Sequence, residues 1–157
     1  MQLIECVPNF SEGNDLNIIK QITSEIEKVD GVRLLNVDPG KATNRTVVTI
    51  VGEPANVIEA AFQAIKKAGE LIDMSKHKGE HPRMGATDVC PLIPIANITM
   101  EETAQYANQL AKRVGEELNI PVYLYEAAQP NTERNNLSVI RAGEYEGFFK
   151  KIKEPKW

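Results

Sequence analysis

The sequence predicts an α/β protein of the α+β class, with the βαββαβ order of a ferredoxin-like unit followed by a C-terminal extension. Short segments rich in β-branched residues are apolar or alternate between apolar and polar positions, as strands do. Between them, apolar residues recur every three or four positions, as on one face of a helix. The first six elements then follow the order strand, helix, strand, strand, helix, strand. We therefore expect a mainly antiparallel sheet with its main helices on one face.

The first half of the chain predicts a strand, a helix and a two-stranded hairpin. The predicted helix ends at Gly31, since glycine commonly terminates helices. Its inward face consists of apolar residues at helical spacing: Leu16, Ile19, Ile22, Ile26 and Val29. In chain order, the predicted elements are a strand at 2–8, a turn at 11–13, a helix at 15–29, a strand at 32–38, a loop at 39–43 and a strand at 45–51.

The second half predicts further helices and strands around an irregular segment. Pro54 occupies the first position of a helix. Pro91 and Pro94 interrupt the next strand, which indicates an edge or a bulge. Thr99 and Glu102 have the spacing of a capping box, and the helix that follows turns Ala107, Leu110, Val114 and Leu118 inward. The predicted elements are a helix at 55–72, an irregular segment at 73–86, a strand at 87–95, a helix to 118, a strand at 121–125, a loop at 126–137 and a helix at 144–152.

Composition excludes several classes of protein. The 157 residues carry a net charge of −4 and no long basic stripe, which disfavours nucleic-acid binding. No apolar run approaches the roughly 20 residues of a membrane helix, and no basic residues precede the first apolar stretch, so we expect a cytoplasmic protein without a signal peptide or membrane partner. Cys6 and Cys90 lie in apolar segments, which predicts two reduced, buried thiols.

Three polar segments, at 9–13, 38–45 and 77–88, hold more reactive side chains than turns require. The two histidines, His77 and His81, stand in a string that matches the H-x-x-E-H pattern of zinc proteases. That pattern needs a helix, and an internal glycine and a following proline oppose one here. We therefore expect no bound metal.

Two other roles remain open for His81. It could act as the base for Cys90 as a nucleophile, although an apolar strand predicts an inert thiol. It could instead act as a general acid and base, because imidazole titrates near neutral pH. Asp38 or Glu80 could then hold its tautomer. A third possibility is that His81 is an ordinary surface side chain.

The polar segments resemble those of the formiminotransferase family. Matching strings occur in the same order along nearly the whole chain: ECVPNFSEG at 5–13, DPG at 38–40, TNRT at 43–46, DMS at 73–75, and GEHPRMGA at 79–86 continuing into DVCP at 88–91. The resemblance implies two ferredoxin-like subdomains in tandem, with tetrahydrofolate between them as co-substrate. Residues 1–157 would be the N-terminal subdomain, and we expect the second to lie outside this chain.

The resemblance also implies an activity. Members of the family transfer a formimidoyl group from N-formimidoyl-L-glutamate to N5 of tetrahydrofolate, a step in histidine degradation, and they are usually homodimers. The histidine of their Gly-Glu-His-Pro-Arg segment acts as acid and base, and it corresponds to His81, for which Asp38 could be the orienting carboxylate. A formyl transferase, or a half without catalytic activity that binds folate or dimerises, would carry the same motifs.

The substrate-binding residues implied by the resemblance are polar or charged. Arg45 and Arg83 suit the two carboxylates of the donor, because a guanidinium binds a carboxylate through two hydrogen bonds, but either could instead form a surface ion pair. Asn9 and Asn44 could bind substrate or cap turns. Glu80 completes the set of substrate-binding residues that we expect.

Overall fold

The computed structural model describes residues 1–72, 74 and 85–120. The elements predicted at 121–125, 126–137 and 144–152 lie outside these residues, as does most of the segment at 73–86. The described elements, in chain order, are β1 (Leu3–Cys6), β2 (Asn9–Phe10), α1 (Leu16–Glu27), β3 (Val32–Gly40), β4 (Arg45–Gly52), α2 (Pro54–Leu71), β5 (Thr87–Val89), β6 (Leu92–Ala96) and α3 (Met100–Leu118).

The strands form one antiparallel sheet centred on β4. Strand β3 pairs with one side of β4, and β1 and β2 pair with its other side. Beyond them, β6 pairs with β1 and β5 pairs with β2. Strands β1 and β2 therefore act together as the first strand of a βαββαβ unit, and β5 and β6 act together as its fourth. The predicted α+β class and the antiparallel sheet are confirmed.

The first and last strands of this unit are each broken. The interruption at Pro91 in the strand at 87–95 was predicted, whereas the break in the strand at 2–8 was not. The breaks at 7–8 and 90–91 lie beside each other in the sheet, and the Val7 N–H donates to the Pro91 carbonyl across them at 3.1 Å. Both breaks contain a proline, which cannot donate to the ladder. Strand β3 is longer than predicted, because it extends through Pro39 and Gly40.

Local signals define where the helices begin. Helix α1 starts after Asp15, whose carboxylate accepts the Asn17 and Ile18 N–H groups, and α2 has Pro54 in its first turn. Helix α3 begins with the predicted capping box of Thr99 and Glu102. None of the helices in the described residues is long and apolar enough to cross a membrane.

The helices cover one face of the sheet. Helix α2 contacts α1, α3 and the sheet, and α3 also contacts β6. The residues of β4 that point toward the helices are buried, while the alternating residues of its other face are half-buried. We call this second side the open face; it carries Arg45, Val47, Thr49 and Val51 of β4. The core side is formed by apolar residues of six elements, among them Ile4, Phe10, Ile22, Val48, Ile50, Val57, Phe62 and Leu110.

One inward-facing prediction is wrong. Leu16 is 67% exposed, although its spacing matches the buried residues of α1. Leu16 is the first residue of the helix, immediately after the Asp15 cap. Helical spacing predicts the face of the helix on which a residue lies, but not whether another element packs against that face at that position.

A charged cluster connects α3 to α2. The Arg113 guanidinium lies 3.7 Å from the centroid of the Phe62 ring and pairs with Glu59 of α2 and with Glu117. The hydrogen bond from Arg113 lowers the pKa of the Glu59 carboxyl. A guanidinium over an aromatic face gains both packing and cation–π attraction, so this cluster fixes how α3 lies on α2.

The two faces of the sheet predict unequal effects of truncation. Replacing the fully buried Ile50 by Ala should lower the free energy of unfolding of this chain by about 2–5 kcal/mol, because it leaves a cavity in the core. Replacing the adjacent, half-buried Val51 by Ala is the matched control and should cost less than half as much. Urea unfolding of the two variants measures this, and equal losses would contradict the assignment of an open face.

Candidate functional site

A hydrogen-bonded cluster on the open face joins residues from three strands. The Arg45 Nε–H donates to Asn9 Oδ1 at 2.8 Å, and the Asn9 amide nitrogen donates to the Val7 carbonyl at 2.8 Å. Arg45 Nη1 lies 3.6 Å from Asp88 Oδ2. Arg45 begins β4, Asn9 begins β2, and Asp88 is the central residue of β5. The structure therefore brings together two of the predicted site residues, Asn9 and Arg45, far apart in sequence.

Asp88 is a member of this cluster to which sequence analysis gave no role. Its side chain is only 1% exposed, and that of Arg45 is 14% exposed. Thr87 and Val89 pair with the consecutive residues Phe10 and Asn9, so Asp88 is the extra residue of a bulge. A buried carboxylate must be paired with another polar or charged group. An aspartate inside an apolar strand was therefore the sequence signal that could have identified Asp88. The negative charge of the Asp88 carboxylate attracts the Arg45 guanidinium and holds it in position.

Asp38 lies on the open face one strand beyond this cluster. It pairs with Val47 of β4, and Val47 pairs on its other side with Asn9. Directly paired residues share a face of the sheet, so Asn9, Val47 and Asp38 form one row across three strands. Arg45 is two residues before Val47 and therefore points to the same side. Asp38 is exposed.

Asn44 has a different role in the structure from that of its neighbour Arg45. Its backbone is left-handed, with φ 51°, at the end of the loop between β3 and β4. Its Oδ1 accepts the Gly13 N–H and the Asn14 side-chain amide, each at 2.9 Å. A side chain at Gly13 would place its Cβ 2.1 Å from the Gly40 carbonyl, so the two loops pack backbone to backbone. Of the two predicted alternatives for Asn44, these contacts favour the turn cap.

The segment before β5 is tied to the same loops. The Ser11 N–H donates to the Ala86 carbonyl at 2.8 Å, and its hydroxyl donates to the Gly85 carbonyl at 2.7 Å. Ser11 is buried and follows Asn9 by two residues. Chain positions 85 and 86 therefore lie beside the Asn9 end of the open face. The predicted site residues Glu80, His81 and Arg83, and also His77, lie outside the described residues.

The two cysteines lie on the helix-covered side of the sheet. Cys6 belongs to the core, and Cys90 is half-buried and packs against it, with the two sulfur atoms 3.4 Å apart. The prediction of buried thiols is therefore confirmed for Cys6. It is wrong for Cys90, which lies at the break between β5 and β6 and is only half-buried. Its sulfur points away from the Arg45 cluster, which disfavours Cys90 as a nucleophile at that site.

The chemistry available on the open face is recognition of a polar, anionic molecule. A guanidinium held by an amide and a buried carboxylate has a fixed direction, and a guanidinium can donate two parallel hydrogen bonds to a carboxylate. Asp38 adds an exposed acid on the neighbouring strand. Within residues 1–72, 74 and 85–120, no group of three or more His, Cys, Asp or Glu side chains is placed to hold a metal ion.

Comparison with known proteins extends these observations. The formimidoyltransferase-cyclodeaminase of Dictyostelium discoideum is 53% identical over 156 residues, which are 99% of this chain and 29% of that protein. The glutamate formimidoyltransferase of Streptococcus pyogenes serotype M1 is 46% identical over 99% of this chain and 52% of its own length. That of Thermoplasma acidophilum is 47% identical over 100% of this chain and 52% of its length.

The chain thus spans about half the length of these two glutamate formimidoyltransferases and under a third of the cyclodeaminase. The model of the formiminotransferase domain, N-terminal subdomain, matches residues 3–157. The match includes every strand that contributes to the Arg45 cluster and both loops packed around Gly13. This chain therefore belongs to the formiminotransferase family and corresponds to its N-terminal subdomain.

Proposed function

We propose that this chain is the N-terminal half of a glutamate formimidoyltransferase. The reaction transfers the formimidoyl group from N-formimidoyl-L-glutamate to N5 of tetrahydrofolate and belongs to histidine degradation. The observation that carries the proposal is the identity of 46% and 47%, along essentially the whole chain, to two proteins named glutamate formimidoyltransferase. The cluster on the open face supports it, because the donor carries two carboxylates that need fixed cationic partners.

The chemistry requires one group that both accepts and returns a proton. N5 of tetrahydrofolate attacks the amidine carbon of the donor and forms a tetrahedral intermediate. The attacking nitrogen must lose a proton, and the glutamate nitrogen must gain one before it leaves. In our proposal the imidazole of His81 performs both transfers, since imidazoles ordinarily titrate near neutral pH. Asp38 orients the imidazole or balances the positive charge on the amidinium.

Two features of the described residues support a site at this end of the open face. Arg45 is held in one direction by Asn9 and Asp88, which suits a guanidinium that must meet a carboxylate. His81 precedes Gly85 by four residues, and the Gly85 carbonyl accepts a hydrogen bond from the Ser11 hydroxyl. Four residues span at most roughly 14 Å, and we propose that the segment before β5 brings His81 to this end of the open face. In this proposal Arg83 binds the second carboxylate, and Glu80 and Asn9 complete the binding site, while Asn44 holds the two neighbouring loops together.

The open face also supports a two-part folate site. Its apolar residues are only half-buried or exposed in this chain; Ile93 is 40% and Ile95 50% exposed. We propose that a second subdomain covers this face, with tetrahydrofolate between the two sheets, and that the complete protein is a homodimer. A half without catalytic activity, or a formyl transferase on the same scaffold, is the alternative. Turnover of a two-subdomain protein, measured separately with a formimidoyl donor and with a formyl donor, distinguishes a formimidoyltransferase, a formyl transferase and a protein without catalytic activity.

Replacing His81 by Ala should slow turnover of a protein that carries both subdomains by roughly 10²–10⁴-fold, the usual contribution of general acid–base catalysis. The KM for the donor should change little, because His81 acts on the reacting nitrogens. His77→Ala is the matched control and should leave kcat unchanged. Steady-state kinetics on purified protein measures both. A wild-type kcat in His81→Ala would contradict the catalytic role.

The 157-residue chain alone should turn over more slowly than His81→Ala in the two-subdomain protein. Without the second subdomain the two substrates are not held in contact, and well-oriented proximity is worth about 7–11 kcal/mol of a reaction barrier. Single-turnover assays with both substrates at high concentration measure this difference. Robust turnover by the chain alone would show that the second subdomain is dispensable.

Arg45→Lys should raise the KM for the donor by about 10- to 100-fold in the two-subdomain protein, because lysine lacks the planar fork of donors. Lysine keeps the positive charge beside the buried Asp88, so the protein should remain folded. Arg33→Lys is the matched control, since Arg33 is exposed on the open face at the far end of β3, opposite Val51. An unchanged KM together with a lowered Tm would assign Arg45 to stability alone.

A further inference from the structure

The two cysteines of the chain form a close pair that the proposed reaction does not use. Cys6 is fully buried at the end of β1, and Cys90 is half-buried at the break between β5 and β6. Their sulfur atoms are 3.4 Å apart, although the residues are separated by 84 positions in sequence. Two thiols in contact across neighbouring strands are placed for a reaction with each other.

The backbone around the pair aligns the two strands and leaves them room to adjust. Cys6 pairs with Leu92, and the Val7 N–H donates to the Pro91 carbonyl at 3.1 Å, so Cys90 is the diagonal neighbour of Cys6. Diagonal neighbours in a regular antiparallel ladder have Cα atoms about 7–8 Å apart, slightly beyond the usual disulfide range. Here the ladder is interrupted on both strands, so each cysteine adjoins a segment that is not fixed by regular pairing.

The remaining movement is small. A disulfide requires a separation of about 2.05 Å between the sulfur atoms, so they must approach by about 1.4 Å from their present 3.4 Å. Both side chains lie on the same, helix-covered side of the sheet, and Cys6 makes up part of the core there.

We propose that Cys6 and Cys90 are a redox modification site, and that a two-electron oxidant of the peroxide class converts them to an intramolecular disulfide between the first and last strands of the unit. The Cys90 sulfur attacks peroxide, which gives a sulfenic acid and one water. The Cys6 sulfur then attacks the Cys90 sulfur, the S–O bond breaks, and a second water leaves. Two thiols and one peroxide thus give one disulfide and two waters, and a dithiol reverses the change.

The order of these steps follows from the surroundings of the two sulfur atoms. The hydrogen bond with Cys90 raises the pKa of the Cys6 thiol well above its usual value, and burial and the neighbouring Glu5 carboxylate raise it further. Cys6 is therefore a poor first nucleophile, and no solvent-borne oxidant reaches it directly because it is 0% exposed. Cys90 is the half-buried partner through which oxidation begins.

The test treats the native chain with hydrogen peroxide and measures the intact mass and the free thiols of the denatured product. We expect a loss of about 2 Da, the mass of two hydrogens, with both thiols lost and a Cys6–Cys90 linked peptide in the digest. Dithiothreitol should restore both thiols. The oxidised chain should melt at least about 5 °C higher, because the crosslink closes a long loop in the unfolded chain.

Two variants control for oxidation of either cysteine alone. Cys90→Ser should keep its single thiol unreacted under the same conditions, because Cys6 is shielded. Cys6→Ala should gain oxygen at Cys90, in steps of about 16 Da, without an internal crosslink. If either variant fails to fold, the mass and the linked peptide of the wild-type chain still decide the question. Sulfinic acid at Cys90, crosslinks only between chains, or two intact thiols in the wild-type chain would each overturn the proposal.

Discussion

The alternation of side chains along β4 is the constraint on which the rest of this structure depends. This strand is paired on both sides, and every second residue from Thr46 to Gly52 is buried against the helices. Because directly paired residues share a face, β4 determines the side on which each residue of β1, β2 and β3 lies. A slip of one residue would place Arg45 and Asp38 in the core and would expose Val48 and Ile50, at a prohibitive cost in burial.

The fold was predictable from the sequence where local chemistry determines it. Periodicity predicted the order of the elements, Pro54 marked the start of α2, and the capping box marked the start of α3. The interruption of the last strand was predictable from Pro91, but the break in the first strand was not, because it depends on a pairing between segments more than 80 residues apart. The exposure of Leu16 was missed for a related reason, since spacing along a helix does not identify what packs against it.

The candidate site was predictable only in part. Asn9 and Arg45 were identified from strings that resemble a family, and the structure adds that they bond to each other. The position of Asp88 depends on a bulge in β5; the prolines indicated an edge or a bulge in this strand, but not that Asp88 would be its extra residue. For Asn44 the sequence left substrate binding and turn capping open, and its side chain in the structure joins two loops through Gly13 and Asn14. Residue type and motif thus indicate a region, and tertiary pairing determines which side chains in it are in contact.

The position of β1 between β4 and β6 has a consequence for how the chain folds during synthesis. Strand β1 gains one partner when residue 52 has been made and its other partner only at residue 96. Ribosomes add about 5–20 residues per second, so after its first pairing β1 waits roughly 2–9 s for its second neighbour. Contacts so distant in sequence slow folding, because the intervening chain must be ordered before they form. During that interval one side of β1 is unpaired, and the nascent chain depends on the hairpin of β3 and β4 and on the helices to hold the first strand in place.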